Sequence, residues 1–186
     1  CVTDFKELVI HKDSGATLIA TFLSVVGGGC SPKKNLSTVD TVELSRYTGK
    51  WYEIARLPNS FEKNLTCVTA NYALKENGGI KVTNKGFNTE KQEWEEANGH
   101  AKVPDPENPG ELRVSFFRPF YGDYYIIELD PNYEHVLVGS PSRKYLWILA
   151  RNKSIKEEVY ADYLKTAKQL GFDTHNIHRT SQDCLN

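Results

Sequence analysis

The chain has 186 residues, of which 39% are hydrophobic and 25% are charged, and its formal net charge is −1. This composition is typical of a globular protein that has one domain and a terminal extension. A net charge this close to zero gives no electrostatic footprint for nucleic acid. Aromatic residues are frequent, with ten Tyr, eight Phe and three Trp. Most of them fall in short alternating segments, a pattern that favours β-strands.

The four cysteines stand at positions 1, 30, 67 and 184, and none belongs to a C-x-x-C pair. This spacing excludes a zinc ribbon and a thioredoxin-like redox motif. Widely separated cysteines in a small β-rich chain indicate an oxidising compartment. We therefore expect an extracytoplasmic protein.

Residues 1–30 are interpreted as a signal-like leader, a lipoprotein leader or a disordered arm. Residues 16–26 (ATLIATFLSVV) form an apolar run with the length of a signal-peptide core, too short to span a bilayer as a helix. The Gly27-Gly28-Gly29-Cys30 segment resembles the lipobox of bacterial lipoproteins, in which the Cys carries the lipid. The glycine at 27 and the upstream acidic residues depart from that pattern, so a plain secretory signal stays open. Lipidation at Cys30 would give an outer-membrane lipoprotein anchored to the membrane surface, and its absence a secreted protein.

Residues 31–40 (SPKKNLSTVD) predict a polar tether, and residues 41–186 the folded domain. From residue 50 onward the chain repeats a short alternating strand followed by a turn, and Asn77-Gly78-Gly79 is a strong hairpin signal. Eight strands are predicted, at 50–57, 67–74, 80–87, 92–103, 111–117, 123–129, 135–139 and 144–150. Eight sequential antiparallel strands favour an all-β up-and-down barrel that encloses space for one small ligand. A sandwich is the alternative, but no long Greek-key crossover is evident.

One α-helix is predicted after the last strand. Ser154 and Glu157 have the spacing of a capping box, and Gly171 is a natural stop. The apolar positions between them form one stripe. A single amphipathic helix after eight strands is expected to pack outside the barrel.

Three motifs resemble the signatures of the lipocalin family. The first is Gly49, Trp51 and Tyr52 in GKWYEIARLP; the second is a loosened LDPNY at 129–133; the third is Arg151 in YLWILARN. Within the family, these segments are similar to those of bacterial outer-membrane lipocalins and apolipoprotein D. The resemblance covers almost all of residues 39–186 and implies the eight-stranded barrel with its outer helix.

The resemblance also assigns structural roles. Cys67 and Cys184 occupy the positions where apolipoprotein D-like lipocalins tie the C-terminal tail to the second strand. Trp51 and Arg151 lie near the ends of the first and last strands, which are neighbours once the barrel closes. A guanidinium over an indole face contributes about 0.5–2 kcal/mol. We expect this pair to close one end of the barrel.

A ligand pocket is expected inside the barrel. Alternation from Trp51 and from Arg151 points five side chains inward, including Leu149, and the resemblance to apolipoprotein D adds Tyr72 and Asn84, from which parity brings in four more, including Val68 and Ile80. Strand five adds a less secure pair, because adjacent phenylalanines leave its facing ambiguous. From these inward-facing residues, the expected ligand contacts are Glu53, Ala55, Ala70, Tyr72, Val82, Asn84, Val114, Phe116, Tyr145 and Trp147. An apolar lining with a few polar groups suits an acyl chain with one head group, although these residues could simply fill the barrel.

The sequence contains no recognised catalytic motif, and His175-x-x-His178 lacks a third metal ligand in view. We expect no enzyme activity, cofactor or metal. The resemblance implies a monomer or weak dimer that binds a small hydrophobic ligand, a fatty acid or lysophospholipid, at a cell envelope. A secreted carrier of a sterol or pigment is an alternative. A lipocalin-type isomerase is a further one, which would need a free thiol in the barrel.

Overall fold

The computed structural model describes residues 35–184. The expected leader at 1–30, with Cys30, lies outside the described residues, as does the first part of the tether. None of the helices in the described part is long and apolar enough to cross a membrane.

Eight antiparallel strands form a closed barrel, which confirms the predicted architecture. Each strand pairs with the next along the chain, and the eighth pairs back with the first. The bounds are β1 Gly49–Arg56, β2 Leu65–Leu74, β3 Ile80–Asn88, β4 Glu93–Lys102, β5 Glu111–Phe117, β6 Phe120–Leu129, β7 His135–Gly139 and β8 Leu146–Ala150. The predicted strands overlap all eight, and the largest difference is the earlier start of β6.

Three short elements were not expected from the sequence. A single-turn helix α1, Leu44–Tyr47, precedes β1, and a 3-10 turn, Thr174–Asn176, leads into the two-residue strand β9, His178–Arg179. β1 pairs with β2 only over residues 49–52, and over residues 55–56 it pairs with β9 instead. The C-terminal tail therefore completes the barrel wall where β1 and β2 separate.

A disulfide between Cys67 and Cys184 fastens this tail to β2, as the family resemblance implied. Next to it, the backbone N–H of Cys67 donates to the carbonyl of Ser181 over 2.8 Å. The side chain of Gln182 donates to the carbonyls of Glu53 in β1 and Val68 in β2. The tail thus replaces the hydrogen bonds that β1 and β2 do not make with each other.

The long helix α2, Glu157–Gln169, packs outside the barrel. It ends in a Schellman motif, in which Gly171 has φ +86°, its N–H donates to Lys168, and the N–H of Phe172 donates to Ala167. The predicted capping box is wrong. The N-cap is Lys156, which makes no side-chain cap hydrogen bond, so the helix begins later than Ser154 suggested.

Alternation along the strands creates two separate apolar clusters. The inner one lines the inside of the barrel and includes Trp51, Tyr72, Val82 and Ile126. The outer one lies between the barrel wall and α2 and includes Ile148 and Tyr163. Because successive side chains of a strand point to opposite faces, the strands that face α2 (β1, β6, β7 and β8) contribute to both clusters.

Candidate functional site

One end of the barrel is closed by α1 and by the residues of the sequence signature. The guanidinium carbon of Arg151 lies 3.9 Å from the centre of a Trp51 ring. Arg151 donates to the carbonyls of Arg46 at 2.7 Å and Lys50 at 2.9 Å, and the Trp51 indole donates to the carbonyl of Tyr47 at 2.8 Å. These bonds hold the helix across the end of the barrel. We call this the closed end.

Gly49 and Tyr52 complete the signature at the start of β1. Gly49 has φ +93°, and an added Cβ would come within 3.3 Å of the Arg151 guanidinium. A residue with a side chain would therefore be strained there and would press on Arg151. The ring of Tyr52 is half-buried, and the ammonium of Lys50 lies 5.1 Å from its centre.

Above the closed end, three tyrosines meet inside the barrel. Tyr124 of β6 shares hydrogen bonds with Tyr47 over 2.7 Å and with Tyr72 over 3.0 Å. Burial raises the pKa of Tyr72 to about 12 and holds the pKa values of Tyr47 and Tyr124 well above their ordinary range. The three hydroxyls therefore stay neutral, and their hydrogen bonds to one another satisfy these polar groups in an apolar interior.

Farther along the interior, Asn84 of β3 presents an acceptor without a partner. Its Oδ1 is buried and makes no hydrogen bond among the described residues. Its cross-strand neighbours are Ala70 on β2 and Ala97 on β4, both too small to cover an amide. A buried acceptor without a donor destabilises the protein by about 1–3 kcal/mol, so this position favours a ligand that can donate a hydrogen bond.

Ser115 Oγ is the second buried side-chain atom of residues 35–184 that lacks a hydrogen bond. Its cross-strand partner is His100, which alternates with the inward-facing Ala101. Ser115 therefore points to the outer side of the wall, away from Asn84.

At the opposite end of the barrel, a buried charged network joins β1 to the β1–β2 connection. Arg56 Nη1 donates a hydrogen bond to the carboxyl group of Glu53, and Arg56 Nε lies 3.9 Å from the carboxyl group of Glu62. The indole of Trp147 donates to Glu62 over 2.9 Å. Burial raises the pKa of Glu53 to about 8, and the negative charge of Glu62 adds to this, outweighing the opposing effect of Arg56.

Most of the expected pocket residues lie on the inner wall. Ala70, Tyr72 and Val82 are in the inner cluster, and Val114 and Trp147 pack against it. Glu53 pairs across strands with the inner residue Leu149, and Asn84 with Ala70. Phe116 and Tyr145 are each 36% exposed. Phe116 lies over Gly99, where an added Cβ would come within 2.8 Å of its ring, and Tyr145 stacks on Trp147 with ring centres 6.0 Å apart.

The expectation that Ala55 faces the interior is wrong. Ala55 belongs to the outer cluster, with Ile148 as its cross-strand partner. The register between β1 and β8 shifts between Glu53 and Ala55. This irregularity moves the following side chains to the other face of the sheet, which alternation counted from Trp51 did not anticipate.

Sequence reasoning missed three residues that shape the interior, Tyr47, Arg56 and Glu62, and it did not place Tyr124 inside the barrel. Tyr124 could have been found, because it alternates with the apolar Ile126 on the same strand. Tyr47 lies in a helix too short to give a periodic signal. Arg56 and Glu62 offered none either, since charged residues at a strand end and in a loop are ordinarily solvated.

A cavity of about 210 Å³ lies outside the barrel, between α2 and the end of β6. Its lining includes Glu128, Asp130, His135 and Tyr163, and His135 Nδ1 lies 2.8 Å from the Tyr163 hydroxyl. Within residues 35–184, no group of three or more His, Cys, Asp or Glu side chains is arranged to hold a metal ion.

Comparison with known proteins agrees with this architecture. The family described as lipocalin-like domain matches residues 42–182. Outer membrane lipoprotein Blc of Vibrio cholerae is 42% identical over 156 residues, covering 83% of this chain and 91% of that protein. Apolipoprotein D of Rattus norvegicus is 35% identical over 142 residues, covering 70% of this chain and 73% of that one.

Solved structures give the same fold. Insecticyanin from the tobacco hornworm Manduca sexta superposes with a TM-score of 0.65 at 22% identity, covering 82% of this chain and 86% of that one. Apocrustacyanin C2 matches with a TM-score of 0.63 at 18% identity, covering 76% and 80%. Identities this low support the fold alone. With the family match over most of the chain and relatives above 40% identity, the protein belongs to the lipocalin family.

Proposed function

We propose that the barrel binds one long acyl chain, as a fatty acid or a lysophospholipid. The observation that carries this proposal is the inner wall itself, an apolar and aromatic surface with one buried acceptor, Asn84 Oδ1, that lacks a donor. The apolar wall suits an acyl chain, and the orphan acceptor suits a head group that can donate a hydrogen bond, as the glycerol hydroxyl of a lysophospholipid can and a fatty-acid carboxylate cannot. The proposed contacts are Glu53, Ala70, Tyr72, Val82, Asn84, Val114, Phe116, Tyr145 and Trp147.

The energetics permit useful affinity. Each buried methylene contributes about 0.8 kcal/mol. Eight to ten of them therefore offset the translational and rotational entropy that the ligand loses on binding and allow about micromolar affinity. Binding of this kind depends on the length of the chain. Affinity should rise with each added methylene and level off when the interior is full.

A chain-length series of saturated fatty acids, titrated against tryptophan emission, tests the proposal. Trp147 lies at the inner wall, whereas Trp94 is 46% exposed on β4. The signal should therefore survive Trp94→Phe and disappear in Trp147→Phe. Ala70→Trp should fill the interior and weaken long chains most. A flat series, or saturable binding of rigid planar ligands alone, would favour the sterol or pigment carrier instead.

We further propose that the protein works at a cell envelope, held to a membrane by a lipid on Cys30. The Blc relatives of Vibrio cholerae and Escherichia coli are named outer membrane lipoproteins, and the sequence before Cys30 resembles a lipobox. The intact mass of the protein from its native host tests this. A diacylglyceryl increment on a chain that starts at Cys30 supports the anchor, and an unmodified chain that starts elsewhere contradicts it.

We propose a carrier and not an enzyme. The isomerase alternative requires a free thiol in the barrel, and Cys67 and Cys184 are bonded to each other. The lipocalin relatives named above agree with a binding role. Titration of the folded protein with a thiol reagent checks this point, and a reactive thiol at Cys67 would restore the alternative.

A further inference from the structure

The wall of the barrel is lower on one side of the end opposite α1, which we call the open end. β4 pairs with β3 from Glu93 to Ala101, but it pairs with β5 only at residues 100–102. The hairpin that joins β5 to β6 turns at residues 118–119, close to this short pairing. Among the residues that the structure describes, the first half of β4 therefore has one unpaired edge above the hairpin. We call the space beside this edge the notch.

The notch opens the interior at the depth of Asn84. Asn84 pairs across strands with Ala97, which lies in the unpaired part of β4 and is exposed although it belongs to the inner face. Gly99 and Phe116 form the lower border, since an added Cβ at Gly99 would come within 2.8 Å of the Phe116 ring. The buried Oδ1 of Asn84, which lacks a donor, thus lies beside a lateral opening.

A cluster of basic side chains stands on the outer face below the notch. Arg118, at the tip of the hairpin, donates from Nε to His100 Nε2 over 2.9 Å, and the Tyr121 hydroxyl lies 3.1 Å from the same nitrogen. The ammonium of Lys102 lies 5.0 Å from the centre of the Tyr121 ring. His100 and Lys102 share the outer face because they alternate with the inward-facing Ala101. Three basic residues thus surround one tyrosine.

The guanidinium of Arg118 is oriented by His100 and keeps most of its donors available. The bond from Nε is its one hydrogen bond within residues 35–184, and no carboxylate of this region pairs with it. Because a guanidinium can only donate, His100 Nε2 accepts and the imidazole is neutral. Desolvation and the positive charges of Arg118 and Lys75 lower the pKa of His100, which favours this state. The Nη groups of Arg118 therefore form an unoccupied fork for an anion.

Arg56 of β1, on the other side of the open end, offers no such fork. It is buried and donates to Glu53, Thr180 and two backbone carbonyls. The carboxyl group of Glu62, 3.9 Å from its Nε, also disfavours a second anion there. A phosphate is therefore favoured at Arg118.

We propose that the head group of a bound lysophospholipid leaves the barrel through the notch, and that Arg118 binds its phosphate on the outer face. This site rests on the proposed function and specifies where the head group of the ligand lies. The acyl chain stays inside the barrel, and the glycerol hydroxyl donates to Asn84 Oδ1. The phosphate accepts hydrogen bonds from the Nη groups of Arg118.

The distances along the wall suit a glycerophosphate. Asn84 stands on β3 and Arg118 follows β5, so the two residues are separated by two strand spacings, about 10 Å. A glycerophosphate and an extended arginine side chain together span this separation. Lys102 adds positive charge beside the phosphate, and His100 and Tyr121 are positioning residues.

Two lipids that differ only in the phosphate test the proposal: 1-oleoyl lysophosphatidic acid and 1-oleoylglycerol. Both are titrated calorimetrically into the full chain at about physiological ionic strength. Arg118→Gln should weaken binding of the lysophosphatidic acid by about tenfold and leave binding of 1-oleoylglycerol unchanged. Lys102→Gln should weaken the same lipid by about twofold to threefold, since its charge acts without a direct hydrogen bond.

Arg113→Gln is the matched control. It removes an arginine from the same outer wall, but this arginine is already paired with Asp123 over 2.9 Å. The control should leave both affinities unchanged. Unchanged affinity of Arg118→Gln for 1-oleoylglycerol also shows that this variant keeps its fold.

The imidazole resonances of His100 report where the phosphate lies, and His100→Gln assigns them. Lysophosphatidic acid should raise the pKa of His100, because the phosphate offsets the charge of Arg118, and 1-oleoylglycerol should not. Inorganic phosphate at the same concentration should have little effect, since no acyl chain holds it at the site. An equal shift with inorganic phosphate would overturn the proposal in favour of a site for free anions.

The proposal is also overturned if Arg118→Gln binds lysophosphatidic acid as well as its parent, or if it loses affinity for both lipids alike. Normal binding of oleate and 1-oleoylglycerol by the wild type would then reject the head-group site and leave the proposed carrier function in place. If the wild type binds none of the three lipids, the carrier function itself is rejected, and the head-group site with it.

Discussion

Thr180 in the C-terminal tail donates a hydrogen bond to the carboxyl group of Glu53 on β1 and accepts one from Arg56 over 3.0 Å. The charge of one buried carboxyl group is therefore linked to the docking of the tail. Because the tail completes the wall between β1 and β2, we expect the protonation of Glu53 to affect the docking of the tail.

The first prediction concerns pH. Burial raises the pKa of Glu53 from 4.5 to about 8 in the folded protein, so the native state holds a proton that the unfolded chain releases within this window. The free energy of unfolding should thus fall as pH rises from about 4.5 to about 8, by at most about 1.4 kcal/mol per pH unit. Urea denaturation at several pH values measures it.

Glu53→Gln removes the titrating group and should flatten this slope. Glu76→Gln, which changes an exposed carboxyl at a closed-end turn, should keep it. An unchanged slope in Glu53→Gln would show that other groups cause the pH dependence.

The second prediction concerns the disulfide. Cys67→Ser/Cys184→Ser should reduce the free energy of unfolding by about 2–5 kcal/mol, because the bond closes a loop of more than a hundred residues in the unfolded chain. Hydrogen exchange should also rise at the β1 edge that the tail covers. Reducing agent should destabilise the wild type and leave the double variant unaffected. Equal stability of the oxidised and reduced wild type would contradict this.

The third prediction separates stability from binding at the closed end. Arg151→Lys loses the stack on Trp51 and the hydrogen bonds to several backbone carbonyls. The free energy of unfolding should therefore fall by about 2–3 kcal/mol. Acyl-chain affinity should hardly change. Arg113→Lys is the control, since its partly exposed ion pair with Asp123 is worth under about 1 kcal/mol. If Arg151→Lys kept normal stability but lost acyl-chain binding, Arg151 would belong to the ligand site and would not be the residue that closes the barrel.

The fourth prediction concerns Asn84. Replacing it with Val removes the buried acceptor without a donor and should stabilise the ligand-free protein by about 1 kcal/mol. The same change should weaken lysophospholipid binding more than fatty-acid binding, because a glycerol hydroxyl can donate to Oδ1 and a carboxylate cannot. Isothermal titration measures both. Ser115→Ala is the control, because it removes the outward-facing hydroxyl that lacks a partner, and it should leave both affinities unchanged. An equal loss of affinity for the two ligands in Asn84→Val would contradict a hydrogen bond at Asn84.

The strand pattern was readable from the sequence because local physics dominates it. Alternating β-formers and the turn at Asn77-Gly78-Gly79 specify strands and hairpins with little help from distant residues. The stop of α2 at Gly171 is equally local, since the left-handed backbone there favours glycine. The same local rules failed at the start of α2. Glu157 is the first residue of the helix and not the third helical residue that a capping box requires, and its carboxylate accepts a hydrogen bond from Arg179 of β9 over 2.8 Å.

By itself the sequence determined the barrel, its strand order, the outer helix and most of the inward-facing set, because each depends on periodicity or on a family signature. Only the tertiary structure decided that Ala55 leaves the interior, that the tail fills the gap beside β1, and that Glu53, Arg56 and Glu62 share one buried network. The physical reason is common to all three. Each depends on a register shift or on contacts between residues distant along the chain, and the energy of a buried charge or a slipped register is set by what surrounds it.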